Sequence, residues 1–349
     1  MGIFARFAFF SKQNNRLQER ENNTLPPPFS LIICARNEAH NLRQFLPAVL
    51  AQEYVSAWEL VVVNDASTDD SALVLQLFQV ENPRLKVVPV TDKAFPGKKY
   101  ALEQGIKACK YPNILLTDAD CRPASPYWLS NMAETAFQHP ETELVLGYGP
   151  MDKVPGMLNR WARFETAHTA MQYFSFARAG MPYMGVGRNL AFKKTAFERM
   201  GGYSSHLHIP SGDDDLLVNA VGTKGNTAIC AMPESFVFSA AQTTWKQWLG
   251  QKRRHLGAST GYRLIHQFLL ASLSISQVFH YFFLLILLLS GYHLPALFVA
   301  YGLRMLALHI IYAGVFSQLR CVDLLRYVCI LDVMQTIYYG VFVPFYLIS

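Results

Sequence analysis

The sequence predicts an α/β unit with a mainly parallel sheet, followed by C-terminal transmembrane α-helices. Three observations predict it. Short apolar runs alternate with helix-period segments over residues 29–123, the pattern of right-handed βαβ units. One of those runs, Ile114-Leu115-Leu116, ends in Thr117 and then places two carboxylates, Asp118 and Asp120, one residue apart. The apolar excess of the chain is gathered in residues 265–349 rather than spread evenly.

The totals are consistent with that division. Of the 349 residues, 51% are hydrophobic and only 16% are charged, low for a soluble protein. The net charge of +6 is modest, and much of it lies near Arg253 and Arg254 beside the apolar tail. Anionic lipid headgroups explain that placement better than nucleic acid, which is excluded as a partner. The six cysteines (Cys34, Cys109, Cys121, Cys230, Cys321, Cys329) contain no C-x-x-C pair. That argues against a zinc site or a disulfide framework and suits a reducing compartment.

Taken in order, Met1–Phe10 is basic and aromatic, too short to span a bilayer and without a cleavage-like region. It either lies on a membrane surface or frays. Residues 11–28 are polar, end in three prolines and read as a linker. Phe29–Cys34 is the first strand and Glu38–Ala51 the first sheet-covering helix, through Leu42, Phe45, Leu46, Val49 and Leu50. Glu59–Val63 is a second buried strand that runs into the turn Asn64–Asp70. A helix over Ser71–Val80, a strand near Leu85–Val90 and a helix opening at Gly97-Lys98 follow. The fourth strand delivers Asp118 and Asp120. Side chains alternate across a strand, and ligands of open α/β sheets bind at strand ends. Two neighbouring carboxylates repel each other, and a hard divalent cation such as Mg²⁺ resolves the conflict.

Rival phosphate sites fail. Cys34-Ala35-Arg36-Asn37 follows the first strand where a dinucleotide fold needs G-x-G-x-x-G. Gly185-Val186-Gly187 has Leu190 where the third glycine belongs. No G-x-x-x-x-G-K-[ST] loop is present.

Beyond Pro123 the pattern is irregular. Gly156–Ala179 is an amphipathic helix with an aromatic face, either core or bilayer interface. Ser211–Leu217 opens a helix with three carboxylates, Asp213, Asp214 and Asp215. The helix dipole accounts for one or two of them, and one in a low-dielectric pocket can serve as a general base. Thr244–Gly257 combines Trp245 and Trp248 with Lys246, Lys252, Arg253 and Arg254, as an interfacial helix does. Three apolar segments, about Phe268–Ser290, Leu294–Phe316 and Tyr327–Leu347, are each long enough to span. Positive residues flank the first and follow the second, which puts residues 1–265 in the cytosol. Arg304 and Asp332 fall inside spans and are read as a structural pair, although their depths differ.

These separated motifs together resemble the membrane-anchored family 2 glycosyltransferases of the GT-A fold, the branch with cellulose synthases, hyaluronan synthases and ceramide glucosyltransferases. The resemblance covers about residues 29–260. Asn64-Asp65-Ala66-Ser67 with Thr68-Asp69 matches the family's nucleotide-binding turn, which implies that Asp65 contacts the base, usually uracil. Ala35, Asn37 and Glu38 after the first strand count among the implied substrate-binding residues. Lys98 with Ala101-Leu102 matches the K-x-x-A-L element near the diphosphate, and Asp118-Ala119-Asp120 the D-x-D motif. Asp120 is the implied ligand of Mg²⁺ or Mn²⁺, and Asp118 either shares the metal or hydrogen-bonds the ribose. Gly187–Phe192, with Arg188 and Asn189, resembles the loop bordering donor sugar and acceptor. Asp213-Asp214 matches the acidic pair whose second member is the general base, so Asp213 caps or orients and Asp215 lies on the helix surface. Gln251, Arg254 and His255 match Q-x-x-R-W with histidine in place of tryptophan.

The resemblance implies an inverting, metal-dependent transfer of a hexose or N-acetylhexosamine from a nucleotide sugar, UDP-linked, to a lipid or glycan acceptor hydroxyl. It implies a multi-pass protein of a bacterial inner membrane, in contact with membrane lipids and partner subunits of an envelope-glycan pathway. The expected division is 1–28 as a polar or interfacial segment, 29–260 as the catalytic domain and 265–349 as the membrane domain. A subunit of a processive polysaccharide synthase, or a non-catalytic sugar-nucleotide-binding protein, are the alternatives.

Overall fold

The computed structural model describes residues 2–9, 25–95, 97–204, 209 and 211–344. Most of the expected linker lies outside them. A seven-stranded sheet forms the centre. Its parallel half comprises β1 (Phe29–Ala35), β2 (Trp58–Asp65), β3 (Leu85–Val90) and β4 (Asn113–Asp118), with α2 (Ala39–Leu50), α3 (Ser71–Glu81) and α4 (Lys98–Ala108) between them. The order is β3-β2-β1-β4, continued by β7 (Leu190–Lys193), β6 (Leu144–Leu146) and β8 (Thr227–Ile229). β7 runs antiparallel to both β4 and β6, and β8 is parallel to β6. A two-stranded sheet pairs β5 (Cys121–Pro123) with β9 (Val237–Ser239).

Strand alternation divides the core cleanly. Leu31, Ile33, Leu60, Val62 and Leu115 face α2, α3 and α5 (Trp128–Phe137). Ile32, Val61, Val63, Ile114 and Leu116 face the opposite way, toward α4 and a larger helical layer. Both faces are covered, which is why these strands read as continuous apolar runs. Asp118 continues the parity of Ile114 and Leu116, so it emerges on the α4 side.

The register aligns the strand ends. Cys34 lies beside Asp118, Ala35 beside Asn64, and Asp65 beside Val90. The carboxyl ends of β1, β2 and β4 therefore share one edge, and between β1 and β4 the chain reverses the direction of its crossovers. That is the position where open α/β sheets hold ligands.

The helical layer decides between alternatives that the sequence left open. α6 (Met157–Arg178) is core rather than bilayer interface. Trp161, Phe164, Met171 and Phe174 are all at most 2% exposed, and the Phe164 ring packs tilted against Tyr312 and edge-on to Phe316. α1 (Gly2–Ala8) neither frays nor lies free: Phe7 is buried against Phe174, and Gln318 donates to the Phe7 carbonyl at 2.7 Å.

The C-terminal helices are α10 (Leu264–Ser290), α11 (Leu294–Gln318) and α12 (Val328–Ile337), the last continuing through a π turn at Tyr338–Phe342. α10 and α11 are long and apolar enough to cross a membrane. Their outward side chains, such as Phe279, Phe283, Leu289, Phe298 and Leu303, are exposed. The third expected span is described only to residue 344, and one side of it is buried. Val328, Leu331 and Tyr338 join the same core cluster as α6. Arg304 donates to Asp332 at 2.8 Å, joined by the Tyr281 hydroxyl at 2.7 Å, so the two residues meet despite their different sequence depths.

Candidate active site

Two loops form one wall of the cleft at the strand ends. Asn37 takes a left-handed conformation (φ 58°), which asparagine tolerates, and its Oδ1 accepts from the Thr68 backbone at 2.7 Å. The Asn37 N–H donates to Ser67 Oγ, and the Glu38 N–H to Ser71 Oγ at 2.9 Å. Asp69 completes the seam by accepting from the Ala39 and Ser71 backbones. Ala35 is fully buried at the end of β1 and contributes backbone only. Glu38 binds Asn41 and has its acidity weakened, by burial first and then by the nearby Asp120 and Asp118.

Asp65 closes β2. Its Oδ2 accepts from Lys93 Nζ at 2.6 Å, while its Oδ1 is buried without a hydrogen-bond partner among the described residues. A buried acceptor left unmet costs about 1–3 kcal/mol, so this oxygen favours an incoming N–H.

Lys98 is the first residue of α4, behind Gly97 at φ 97°. Its ammonium lies 2.5 Å from Asp118 Oδ1 and 4.0 Å from Asp213 Oδ2. Burial alone would raise the Asp118 carboxyl, but the Lys98 charge and hydrogen bond outweigh it and hold Asp118 below its ordinary range. Burial pushes the Cys34 thiol on the cleft floor up to about 12, which removes it as a nucleophile.

Asp118, Asp120 and Cys121 bring ligand atoms within 4.8 Å of one another. The Cys121 thiol is driven well above its usual range by burial, then by Asp118 and Asp120, and so stays neutral. The donors on offer are carboxylate oxygens, which suit Mg²⁺ or Mn²⁺ and not a thiophilic metal. Glu38, Asp118, Asp120, Asp213 and Asp214 together leave a surplus of negative charge that such an ion would balance.

α8 (Asp213–Val221) starts at Gly212, whose φ of 76° leaves no room for a side chain: a Cβ there would stand 2.4 Å from Ala258. Asp214 accepts from the Gly187 N–H and, at 2.9 Å, from the Asp215 N–H. Burial first, and Asp213 second, raise its pKa to about 6. Asp215 is the exception to expectation. It is not on the helix surface but 7% exposed, accepting from the Tyr262 hydroxyl at 2.9 Å. Neighbouring Asn219 accepts from the Arg263 backbone at 2.8 Å, so the helix carrying Asp214 is tied to the entrance of α10.

Arg188 donates to the Gly149 carbonyl and is near enough to act on Asp118. Asn189 does not border the cleft. It is fully buried, both amide hydrogens go to Tyr148 and Ser235 carbonyls, and its Oδ1 accepts from Trp128 Nε1. It braces the Gly187 turn rather than offering a group to a ligand. α9 (Trp245–Ala258) carries the last motif behind a Thr244–Gln247 capping box. Trp248 packs on Trp161 and Tyr338, and Lys252 pairs with Glu165. Gln251 Oε1 is buried without a partner among the described residues. Arg254 is exposed, and its carbonyl accepts from Ser211. His255 is solvent-exposed but lies close enough to act on Asp118; the surrounding protein, then the positive charges of Lys252, Arg188 and Arg254, lower its imidazole pKa.

The structure thus brings together Asn37, Glu38, Lys98, Asp118, Asp120, Asp213, Asp214, Arg188 and His255, with Asp65 at one end, and sets Asn189 behind them. Sequence reasoning missed Lys93, Tyr262 and Trp128. Nothing in their spacing marks them, because each acts through a partner distant in sequence.

Residues 30–201 match the family described as Glycosyl transferase family 2. Among curated relatives, a probable glycosyltransferase, YdaM, of Bacillus subtilis is 25% identical over 258 residues, 70% of this chain and 58% of its own length. A poly-β-1,6-N-acetyl-D-glucosamine synthase of Staphylococcus epidermidis is 29% identical over 117 residues, 33% of this chain and 27% of its own. The chain thus spans little more than half of the first relative and about a quarter of the second. A Pyrobaculum calidifontis mannosyltransferase solved in complex with GDP-mannose and Mn²⁺ superposes with a TM-score of 0.56 at 18% identity, over 97% of this chain and 96% of the other. The fold, the strand-end cleft and the family match agree: residues 30–201 are a glycosyltransferase family 2 domain of GT-A fold.

Proposed function

We propose that the chain is an inverting, metal-dependent glycosyltransferase. It moves a hexose or N-acetylhexosamine from a nucleotide sugar, UDP-linked by preference, to a lipid or glycan acceptor hydroxyl at the cytosolic membrane face. The observation that carries this reading is the convergence of three features at one strand-end cleft. These are the Asp118–Asp120 pair, Lys98 beside it, and Asp214 with a raised pKa on the facing helix.

Each residue then has a task. Asp65 Oδ1 receives the base. Asp120 and Asp118 would hold Mg²⁺ or Mn²⁺, which when bound offsets the charge on the departing diphosphate. Lys98 adds a fixed positive charge at the same place, preorganised by its pair with Asp118. Asp214 takes the proton of the acceptor hydroxyl, and its pKa near 6 leaves it ionised at neutral pH yet more basic than an ordinary aspartate. The hydroxyl oxygen attacks the anomeric carbon as the bond to the diphosphate breaks, so configuration inverts in one displacement, with one carboxylate opposite one leaving group. Arg188 and His255 border the same space. The apolar helices α10 and α11 and the basic face of α9 support a membrane setting, in which a lipid acceptor reaches the cleft from the bilayer. Bacterial envelope-glycan partners are consistent with the relatives' organisms.

The test is release of nucleoside diphosphate by purified protein given UDP-, GDP- and TDP-sugars, Mg²⁺ or Mn²⁺, and membranes. The reading requires release by the wild type and its loss in Asp214→Asn. No release with any donor would refute it.

A further inference from the structure

Two arginines rest on one tyrosine ring. Arg160 lies in the first turn of α6, and Arg326 in the 3₁₀ turn Val322–Tyr327 that joins α11 to α12. Each guanidinium carbon is 4.8 Å from the centre of the Tyr327 ring, so the two charges lie within twice that distance of each other. An aromatic face settles one cation, but a second on the same ring meets the repulsion of the first. Among the described residues neither arginine has a carboxylate within ion-pairing distance. The acid on the same turn, Asp323, is taken: Arg163 holds both its oxygens at 2.8 Å, and Lys153 adds a contact at 3.1 Å. Exposed apolar side chains, Val154, Met157 and Val322, border the arginines. Asn159 ties Val154 to the start of α6, and Lys153 ties that segment to the turn carrying Arg326. Basic and apolar groups therefore share one surface, at the end of α11 and α12 nearer the catalytic domain.

We propose that Arg160 and Arg326, held on Tyr327, form a binding site for the phosphate group of an anionic lipid headgroup. Two guanidiniums with unused N–H forks suit phosphate oxygens, and an anion between them removes their repulsion. A lipid is the fitting source, because the site stands where two apolar helices end and its apolar rim can enter the acyl boundary. Because Arg163 pins the turn to α6, a lipid seated there braces the membrane helices against the catalytic domain. The inference rests on the membrane setting of the proposed function, and it uses neither the cleft nor the basic face of α9.

The experiment uses the full chain in detergent at about 0.15 M salt, where charges in water are screened beyond about 8 Å. Phosphatidylglycerol and the zwitterionic phosphatidylcholine are titrated and their binding read by native mass spectrometry, with sn-glycerol 3-phosphate as the soluble phosphate. Each arginine beside an anionic headgroup contributes a factor of roughly five. The wild type should therefore hold phosphatidylglycerol at least about tenfold more tightly than phosphatidylcholine, and glycerol 3-phosphate more weakly than either. The double variant Arg160→Gln, Arg326→Gln should bring the two lipids within about threefold of each other. Tyr327→Leu keeps both charges but removes the ring that holds them, and should lose most of the preference; Tyr327→Phe keeps the ring and should retain it. An unchanged lipid-free unfolding midpoint certifies each variant's fold, and the single arginine variants serve if the double does not fold. Equal binding of the two lipids by the wild type, or a preference that survives the double variant, overturns the inference. So does full preference in Tyr327→Leu, which would make the attraction diffuse charge, or tighter binding of glycerol 3-phosphate than of the lipid, which would make this a site for soluble phosphate. Nucleoside diphosphate release by the same preparation reports the proposed transfer separately, so these results leave it standing. A wild type that binds neither lipid defeats the membrane setting, and the inference with it.

Discussion

Replacing Asp214 with asparagine should make the stability of the protein, measured relative to wild type, rise with pH, while destroying its chemistry. The folded pKa of Asp214 is raised from 3.8 to about 6, so the folded state holds a proton that the unfolded chain releases between those values. Wild-type stability therefore falls as pH rises through that window and stays reduced above it. At 1.36 kcal/mol per pH unit, a shift of this size is worth about 3 kcal/mol as an upper figure. Asparagine removes that pH-dependent cost. It also loses one acceptor, because both carboxylate oxygens of Asp214 receive backbone N–H groups, from Gly187 and Asp215. That loss does not vary with pH and cancels when the two proteins are compared across pH. The advantage of Asp214→Asn should thus grow by up to about 3 kcal/mol between pH 4 and pH 8, roughly 6–12 °C in thermal midpoint for a domain of this size. The assay is thermal unfolding of both proteins in detergent at one-unit pH steps. Parallel midpoints from pH 4 to pH 8 would refute the claim that Asp214 sits in a pocket that resists its charge.

Three other perturbations follow from the same geometry. Lys98→Met should lower kcat by about 10²-fold, as loss of one preorganised charge at a leaving group does, and should raise the pKa of Asp118, read as an altered pH dependence of Mn²⁺ binding. Tyr262→Phe strips the buried Asp215 of its donor and should cost about 1–3 kcal/mol in unfolding free energy, with reduced kcat because α8 carries Asp214. Asp332→Asn leaves Arg304 poorly paired among the apolar helices and should cost about 3–5 kcal/mol, seen as a lower unfolding midpoint; the Arg304→Met, Asp332→Leu double variant should recover most of it.

The parallel half of the fold was legible because each of β1, β2 and β4 is buried on both faces and reads as an apolar run bounded by helix starts. The D-x-D pair and the acidic start of α8 were legible for the same local reason. What lay beyond Pro123 was not. β6, β8 and β9 are three residues each, too short for any period to show, and their partners lie far away in sequence. The antiparallel turn of β7 against β4 is likewise a tertiary fact. Composition could not separate core from interface for α6, since aromatic residues suit both; burial against α1, α11 and α12 decided it. The same limit hid the roles of individual polar residues. Asn189 sits in a loop motif that suggests a ligand contact, yet Trp128, Tyr148 and Ser235 absorb all it offers. Asp215 follows two cleft carboxylates in sequence, but one helical step of 100° turns it toward Tyr262. Lys93 is an unremarkable loop lysine until the register brings Asp65 beside Val90 and the loop folds back.

The central claim is sugar transfer, and mass analysis of the acceptor tests it most directly. Membranes incubated with the wild type, a nucleotide sugar and Mn²⁺ should yield a lipid- or glycan-extracted product heavier by one hexose or N-acetylhexosamine unit. Asp120→Asn and Asp214→Asn should yield none. A wild type that leaves every acceptor unchanged, or an Asp214→Asn protein that modifies it as fast as wild type, would contradict the account.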